Sequence, residues 1–107
     1  MHIEMLAIGR NEEILQTVLR LVNNNGQWHA VGAQTDDDAI ALFDKINPAI
    51  VLLCNGIDEA SDIKLQNYFI GKNPATIIIQ HYGGGSGLLS NEILQALHAG
   101  AIAAGKH

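Results

Sequence analysis

Two reactive side chains lie at the ends of apolar runs that are predicted to be neighbouring strands. Cys54 ends the run 49–54, and His81 comes directly after the run 75–80. The carboxyl ends of parallel strands meet at one edge of a sheet, so a thiol and an imidazole there could form a nucleophile and its base. A cysteine that closes a central strand is, however, more commonly a buried small hydrophobe, and a histidine at that edge is commonly a polar surface residue. We favour this second interpretation, and we expect no catalytic residue and no enzyme activity.

A glycine-rich stretch is another candidate site. It consists of Gly83, Gly84, Gly85, Ser86 and Gly87 and precedes a predicted helix. Flexible backbone in that position can present N–H groups to an anion, with Arg10 as the counter-charge. The spacing fits neither G-x-x-x-x-G-K-S/T nor G-x-G-x-x-G, because Leu88 stands where the latter motif needs its last glycine. We favour a mobile connection; an ordered loop that contacts a partner and a phosphate or nucleotide site stay as alternatives.

Metal binding is not indicated by the other polar residues. The five histidines show neither the H-x-x-x-H spacing nor the cysteine–histidine spacing of metal sites. Asp36, Asp37 and Asp38 could hold a cation, but they directly follow Thr35 and are better explained as the first turn of a helix, where acidic side chains are favourable. We expect no metal and no other cofactor.

Short apolar runs alternate with segments of helical periodicity along the whole chain, which is typical of a parallel sheet built from βαβ units. Strands are predicted at 3–8, 28–33, 49–54 and 75–80. Helices are predicted after the capping residues Asn11, Thr35 and Ser61, the third over 62–70 and a fourth over 88–99. The first helix is expected to bury Ile14, Leu15, Val18, Leu19 and Val22. The last stretch, 100–107, is either a short fifth strand or an extension of the fourth helix, and we favour the strand.

Composition limits the class of protein. Of the 107 residues, 48% are hydrophobic and 16% are charged, so we expect one globular domain over residues 1–107. Six basic residues are scattered among eleven acidic ones, and the net charge of −5 argues against a nucleic-acid partner. The single cysteine excludes an internal disulfide and fits a reducing compartment. No apolar run is long enough to span a membrane, so we expect a cytoplasmic protein without a membrane partner.

The arrangement of these motifs resembles the receiver domain of two-component response regulators, a flavodoxin-like α/β fold. The resemblance rests on TDDDAIALF before NPAIVLLC, and on ALHAGAIAAGKH near the end of the chain. It implies a doubly wound parallel sheet in the strand order 2-1-3-4-5 and a role in signalling.

The functional residues of receivers are largely missing. The resemblance assigns the two acidic positions after the first strand to Gly9 and Arg10. It assigns the phosphoacceptor aspartate to Cys54, the hydroxyl position to Gln80 or His81, and the lysine to Lys106 or His107. An acyl phosphate needs a carboxylate nucleophile and a divalent cation, which oxygen ligands hold, so we predict that conventional phosphotransfer is absent. Asp58 is expected to be a solvated turn residue rather than a substitute acceptor.

Receivers close with a fifth helix, whereas this chain ends at His107, soon after the predicted fifth strand. If the second, third and fourth helices cover one face of the sheet, the first helix alone cannot cover the other. Half of the apolar side chains of strands three and four are then expected to face solvent, and apolar patches of that kind commonly mark an interface. We therefore predict a homodimer through this uncovered face or through the edge of the fifth strand.

The leading functional hypothesis is a non-phosphorylatable pseudo-receiver, a signalling module that acts through dimerisation or another protein partner. The alternative is a sensor of a small molecule or anion, which would use Arg10 and the glycine loop 83–87.

Overall fold

Four of the predicted apolar runs form one parallel sheet. In the computed structural model, which describes residues 3–54, 56–80, 93 and 95, the strands are β1 (Ile3–Ile8), β2 (Trp28–Ala33), β3 (Ile50–Leu53) and β4 (Ile77–Gln80). Their order is β2-β1-β3-β4, and each neighbouring pair is parallel. This confirms the predicted α/β class and the first four positions of the predicted strand order. The predicted fifth strand, His81, the glycine loop 83–87 and Lys106 lie outside the described residues.

Three helices connect these strands: α1 (Glu12–Asn23), α2 (Asp36–Ile46) and α3 (Glu59–Lys72). Each follows a residue whose side chain accepts a hydrogen bond from the backbone N–H three positions later, which satisfies a donor that the first turn leaves without a partner. The capping residues are Asn11, Thr35 and Asp58, with distances of 3.0, 3.1 and 2.8 Å. The first two caps confirm the predictions.

The third helix begins earlier and ends later than predicted. Ser61 is not the cap, because its own backbone N–H donates to Asp58, which is therefore the capping residue rather than a turn residue. A carboxylate caps as well as a hydroxyl does, so the helix begins at the upstream candidate. Gly71 lies inside the last turn, since a glycine there costs only about 1 kcal/mol relative to alanine. The helix ends at Lys72, and the Asn73 N–H still bonds to the Phe69 carbonyl.

Side chains along the strands alternate between two apolar clusters, one on each face of the sheet. The cluster on the α1 face consists of Met5, Ala7, Leu15, Val18, Val22, Trp28, Ala30, Ile50, Leu52, Cys54 and Ile93. The cluster on the opposite face, under α2 and α3, consists of Leu6, Ile8, Ala33, Ala39, Phe43, Val51, Leu53, Leu65 and Phe69. The rings of Phe43 and Phe69 stack with centroids 4.4 Å apart, so α2 and α3 are packed against each other as well as on the sheet.

α1 buries a narrower stripe than predicted. Leu15, Val18 and Val22 are buried and Leu19 is half-buried, whereas Ile14 is 41% exposed. At 3.6 residues per turn Ile14 falls at the edge of the stripe, and it belongs to the first turn of the helix. The inclusion of Ile14 in the core is therefore wrong.

The prediction that half of strand three faces solvent is also wrong. All four residues of β3 are fully buried. On the α1 face, Ile50 and Leu52 share their cluster with Ile93, a helical residue that is itself fully buried. The chain after β4 therefore contributes an apolar side chain to the face that α1 alone could not cover. The isoleucines of β4 are half-buried. Little apolar surface of the sheet is therefore left to support the homodimer through an uncovered sheet face, which stays a prediction.

Replacement of Ile93 tests how this face is covered. Ile93→Ala is expected to lower the free energy of unfolding by about 2–5 kcal/mol, because it leaves a cavity in the core. Trp28, the single tryptophan, lies in the same cluster, so its fluorescence in a urea titration follows the transition. The matched control is Gln95→Ala, since Gln95 is helical and exposed; it should change stability by less than about 0.5 kcal/mol. Equal effects of the two variants would contradict the burial of Ile93.

Candidate functional site

The carboxyl ends of the strands and the first turns of the helices that follow them form one edge of the molecule, here called the rim. Arg10 lies on the rim just after β1. Its Nη1 donates to the backbone oxygen of Gln34 at 2.9 Å, and its Nη2 donates to Oδ1 of Asp36 at 2.5 Å. Because Asp36 is the first residue of α2, the Arg10 side chain connects the end of β1 to the start of the second helix.

Asp36 also connects to the third helix. Its other oxygen, Oδ2, accepts a hydrogen bond from the Ser61 hydroxyl at 2.9 Å, and the Lys64 Nζ lies 3.7 Å from the same oxygen. Arg10, Asp36 and Ser61, here called the rim bridge, thus join β1, α2 and α3. Both oxygens of the Asp36 carboxylate are engaged by donors from this chain.

The electrostatics of the rim bridge favour an ionised Asp36. Burial by itself would raise the pKa of Asp36, since only 17% of its side chain is exposed. The hydrogen bonds from Arg10 and Ser61 and the charges of Arg10 and Lys64 outweigh that effect and hold the pKa below its usual value. The positive charge of Arg10 is therefore matched within the fold.

The backbone beneath Arg10 is shaped to accept its side chain. Gly56 has a φ of 90°, a conformation that residues with a side chain rarely adopt. A Cβ at this position would lie 2.8 Å from the Cβ of Arg10, which is closer than two carbon atoms can pack. Glycine at position 56 is thus needed both for the positive φ of the turn and because a side chain there would clash with Arg10.

Cys54 lies in the core rather than on the surface of the rim. It is 1% exposed and continues the alternation of β3 into the cluster on the α1 face. Burial raises the pKa of its thiol to about 11, so the thiol is protonated at neutral pH. The backbone oxygen of Leu52 lies 4.0 Å from the sulfur, at the limit of a weak hydrogen bond. His81, the candidate base that the sequence placed on the neighbouring strand, is outside the described residues.

Gln80, at the end of β4, belongs to a different group of polar residues. Its Nε2 donates to Oδ2 of Asp62 at 2.9 Å, and Oδ1 of Asp62 accepts from the Gln66 amide. Asp62 is 8% exposed, so this cluster anchors β4 to the first half of α3 through a largely buried carboxylate.

The structure brings together some of the predicted site residues. Gly9 is buried at the end of β1, where its N–H donates to the Ala33 oxygen at 3.0 Å, and the Cys54 N–H donates to the Ile8 oxygen at 2.8 Å. Gly9 and Cys54 therefore directly follow neighbouring strands. Lys106 and the glycine loop 83–87 lie beyond the part of the chain that the structure describes.

Sequence analysis missed the partners that organise the rim. Asp36 was explained by helix capping alone, and neither Ser61 nor Asp62 was considered for the site. The signal was present: a helix that follows a parallel strand begins at the carboxyl end of the sheet, so polar residues of its first turn lie on the rim.

The polar groups of the rim that the structure describes do not form a metal site. Within residues 3–54 and 56–80, with 93 and 95, no group of three or more histidine, cysteine, aspartate or glutamate side chains could hold a metal ion. At the positions that the resemblance assigns to metal ligands and phosphoacceptor, Gly9 offers no side-chain oxygen, Arg10 is a cation and Cys54 is a buried thiol. A site for a hard divalent cation needs oxygen ligands, which these residues do not provide. None of the helices in the same described part is long and apolar enough to cross a membrane.

Comparisons with protein-family models and with curated proteins give no match. Solved structures do match: the BeF3-activated DrrB receiver domain aligns with a TM-score of 0.76 at 13% identity, over 92% of this chain and 99% of that one. The signal receiver domain of a putative LuxO repressor protein from Vibrio parahaemolyticus gives a TM-score of 0.75 at 12% identity, over 95% of both chains. A LuxR-family two-component response regulator from an Aurantimonas species gives 0.66 at 18% identity, over 94% of this chain and 70% of that one. At these identities the similarity shows the fold alone, and this chain has the fold of response-regulator receiver domains.

Proposed function

We propose that this chain is a receiver-like signalling module that acts through protein contacts and is not switched by phosphorylation. The receiver fold supports the signalling part of the proposal. The rim bridge supports the absence of switching by phosphorylation. Arg10 occupies one of the two positions that the resemblance assigns to acidic metal ligands, and it is paired with Asp36 inside the fold.

The chemistry of phosphoryl transfer supports this interpretation. Transfer to a receiver-like site needs a carboxylate nucleophile and a divalent cation that neutralises the phosphoryl oxygens. Cys54 at the acceptor position is a protonated, buried thiol, and Arg10 places a guanidinium, which cannot coordinate a cation, at a position that would need a metal ligand. Such a site offers neither the nucleophile nor the metal ligands.

The alternative of an anion sensor has less support. Arg10 was its predicted counter-charge, but the guanidinium already donates to Asp36 and to the Gln34 carbonyl. An anion would have to displace a carboxylate that Ser61 also holds. No contact among the described residues favours that exchange.

Titration with magnesium and beryllofluoride tests the proposal directly. In two-dimensional NMR spectra, the amide signals of Gly9 and Cys54 are expected to stay unchanged at millimolar concentrations of both reagents, because Gly9, Arg10 and Cys54 offer no carboxylate and both oxygens of Asp36 are already engaged. The DrrB receiver domain, whose structure is described as BeF3-activated, is the positive control. Saturable shifts confined to the rim of this chain would overturn the proposal.

The rim bridge predicts a pH-dependent stability. Because folding lowers the pKa of Asp36, the stabilisation is complete above the ordinary carboxyl pKa of about 3.9 and is lost as the pH falls through the lower, folded value. Arg10→Met should cost about 1.5–3 kcal/mol at pH 7, the range for hydrogen bonds to charged groups, and progressively less below about pH 4. Urea titrations at a series of pH values measure the difference. Arg20→Met, at an exposed position of α1, is the control. If Arg10→Met lowered the free energy of unfolding by the same amount at every pH, the rim bridge would be contradicted.

Cys54 is expected to be unreactive in the folded protein. Its raised pKa and 1% exposure leave almost no accessible thiolate, so iodoacetamide should modify it only as fast as the chain unfolds. Mass spectrometry should find the folded protein unmodified at pH 8 and the urea-unfolded protein fully alkylated. Rapid alkylation without denaturant would support a thiol-based activity instead.

A further inference from the structure

α3 is apolar on two opposite sides. Leu65 and Phe69 are fully buried against the sheet, whereas Ile63 and Ile70 are 54% and 47% exposed. A surface helix normally presents charged and polar residues on the side away from its core, and a helix that is apolar all round is normally covered all round. The outer side of α3 therefore exposes two large apolar side chains, seven residues apart, that nothing in the described chain covers.

The exposed residues of α3 follow the spacing of a coiled coil. Ala60, Ile63, Asn67 and Ile70 are all exposed, and they fall at successive a, d, a and d positions of two heptads. These four residues, here called the outer stripe, include no charge. Asn67 takes an a position, where a single asparagine can set the register of two helices.

The charges beside the outer stripe are complementary to those of a second copy. In this heptad numbering Glu59 is at g and Lys64 is at the following e, five residues later. Two parallel α3 helices related by a twofold axis would bring each Glu59 beside Lys64 of the other copy. Antiparallel helices aligned on the outer stripe would instead bring the two Lys64 side chains together, which is repulsive, and would leave each Glu59 far from Lys64 of the other copy. The charge pattern therefore selects a parallel pair.

Lys64 is accessible for such a contact. Its side chain is 58% exposed, and its Nζ is 3.7 Å from Asp36, longer than a close hydrogen-bonded ion pair. The ammonium group can therefore receive a second carboxylate without moving away from Asp36. Glu59, in the first turn of α3, is exposed as well.

We propose that the outer stripe of α3 is a homodimer interface in which a second copy of this chain docks with its α3 parallel. This inference rests on the proposed function as an interaction module and names its partner. Ile63 and Ile70 pack against the same residues of the second copy, and the two Glu59–Lys64 pairs flank them. The interface differs from the uncovered sheet face and the fifth-strand edge that the sequence suggested.

The interface is small, and the dimer is correspondingly weak. A contact of only two heptads buries less than the roughly 800 Å² per partner of a standard interface. We therefore expect a dissociation constant of about 10–100 μM. Sedimentation velocity across that concentration range should show a reversible increase from the mass of one chain toward twice that mass.

Substitutions on the outer stripe test its role. Ile63→Lys and Ile70→Lys should each weaken association by at least about tenfold, because each places two like charges in the apolar contact. Both residues are exposed, so the urea midpoints should stay near that of the unmodified chain and show that folding is intact. Ile14→Lys, at the 41% exposed isoleucine of α1, is the matched control and should leave the dissociation constant unchanged.

Charge exchange tests the parallel orientation. Glu59→Lys and Lys64→Glu should each self-associate more weakly than the unmodified chain, whereas their equimolar mixture should dimerise at least as well, because every g–e pair is then opposite in sign. Single variants that associate as the unmodified chain does would overturn the parallel arrangement. A monomer at every concentration up to the millimolar range would overturn the dimer, whereas the magnesium and beryllofluoride titration decides the proposed function separately.

Discussion

The complete burial of β3 is the constraint on which the rest of the structure depends. Its four apolar residues, Ile50 to Leu53, point alternately to the two faces of the sheet, and none is exposed. Each such side chain contributes about 1.5–3 kcal/mol when buried, so both faces must be covered along the whole strand. α2 and α3 meet this need on one face, and α1 together with Ile93 meets it on the other. Cys54 continues the same alternation, which is why the thiol lies in the core.

The same register determines what the rim can do. Ile8 pairs with Ala33 and Leu53, and Leu53 pairs with Gln80, so the four strands end level with one another. Polar residues that follow the strands are thereby brought within reach of the first turns of the helices. A metal site would require carboxylates whose mutual repulsion only a cation relieves. Arg10 and Asp36 neutralise each other instead, so β1, α2 and α3 are joined by contacts between side chains of the chain itself.

Local sequence signals predicted the elements well, and the failures came from interactions between elements. The bounds of β1 and β2 and the caps Asn11 and Thr35 followed from apolar runs and first-turn chemistry. The start of α3 did not, because Asp58 and Ser61 are both good caps and only the backbone shows which one accepts the bond. The position of Ile93 on the α1 face and the contact of Arg10 with Asp36 depend on how the chain crosses the sheet, which periodicity does not encode.

α3 connects the two properties on which the proposals rest. Its inner side packs on the sheet, its first turn gives Ser61 and Lys64 to the rim, and its outer side carries the apolar stripe. In the proposed module, phosphorylation would add no charge at the rim that could move this helix. The stripe is then presented in one fixed arrangement, and association depends on the concentration of the chain. A dissociation constant in the micromolar range suits control by concentration, because the fraction of dimer changes most steeply when the concentration of the chain is near that constant.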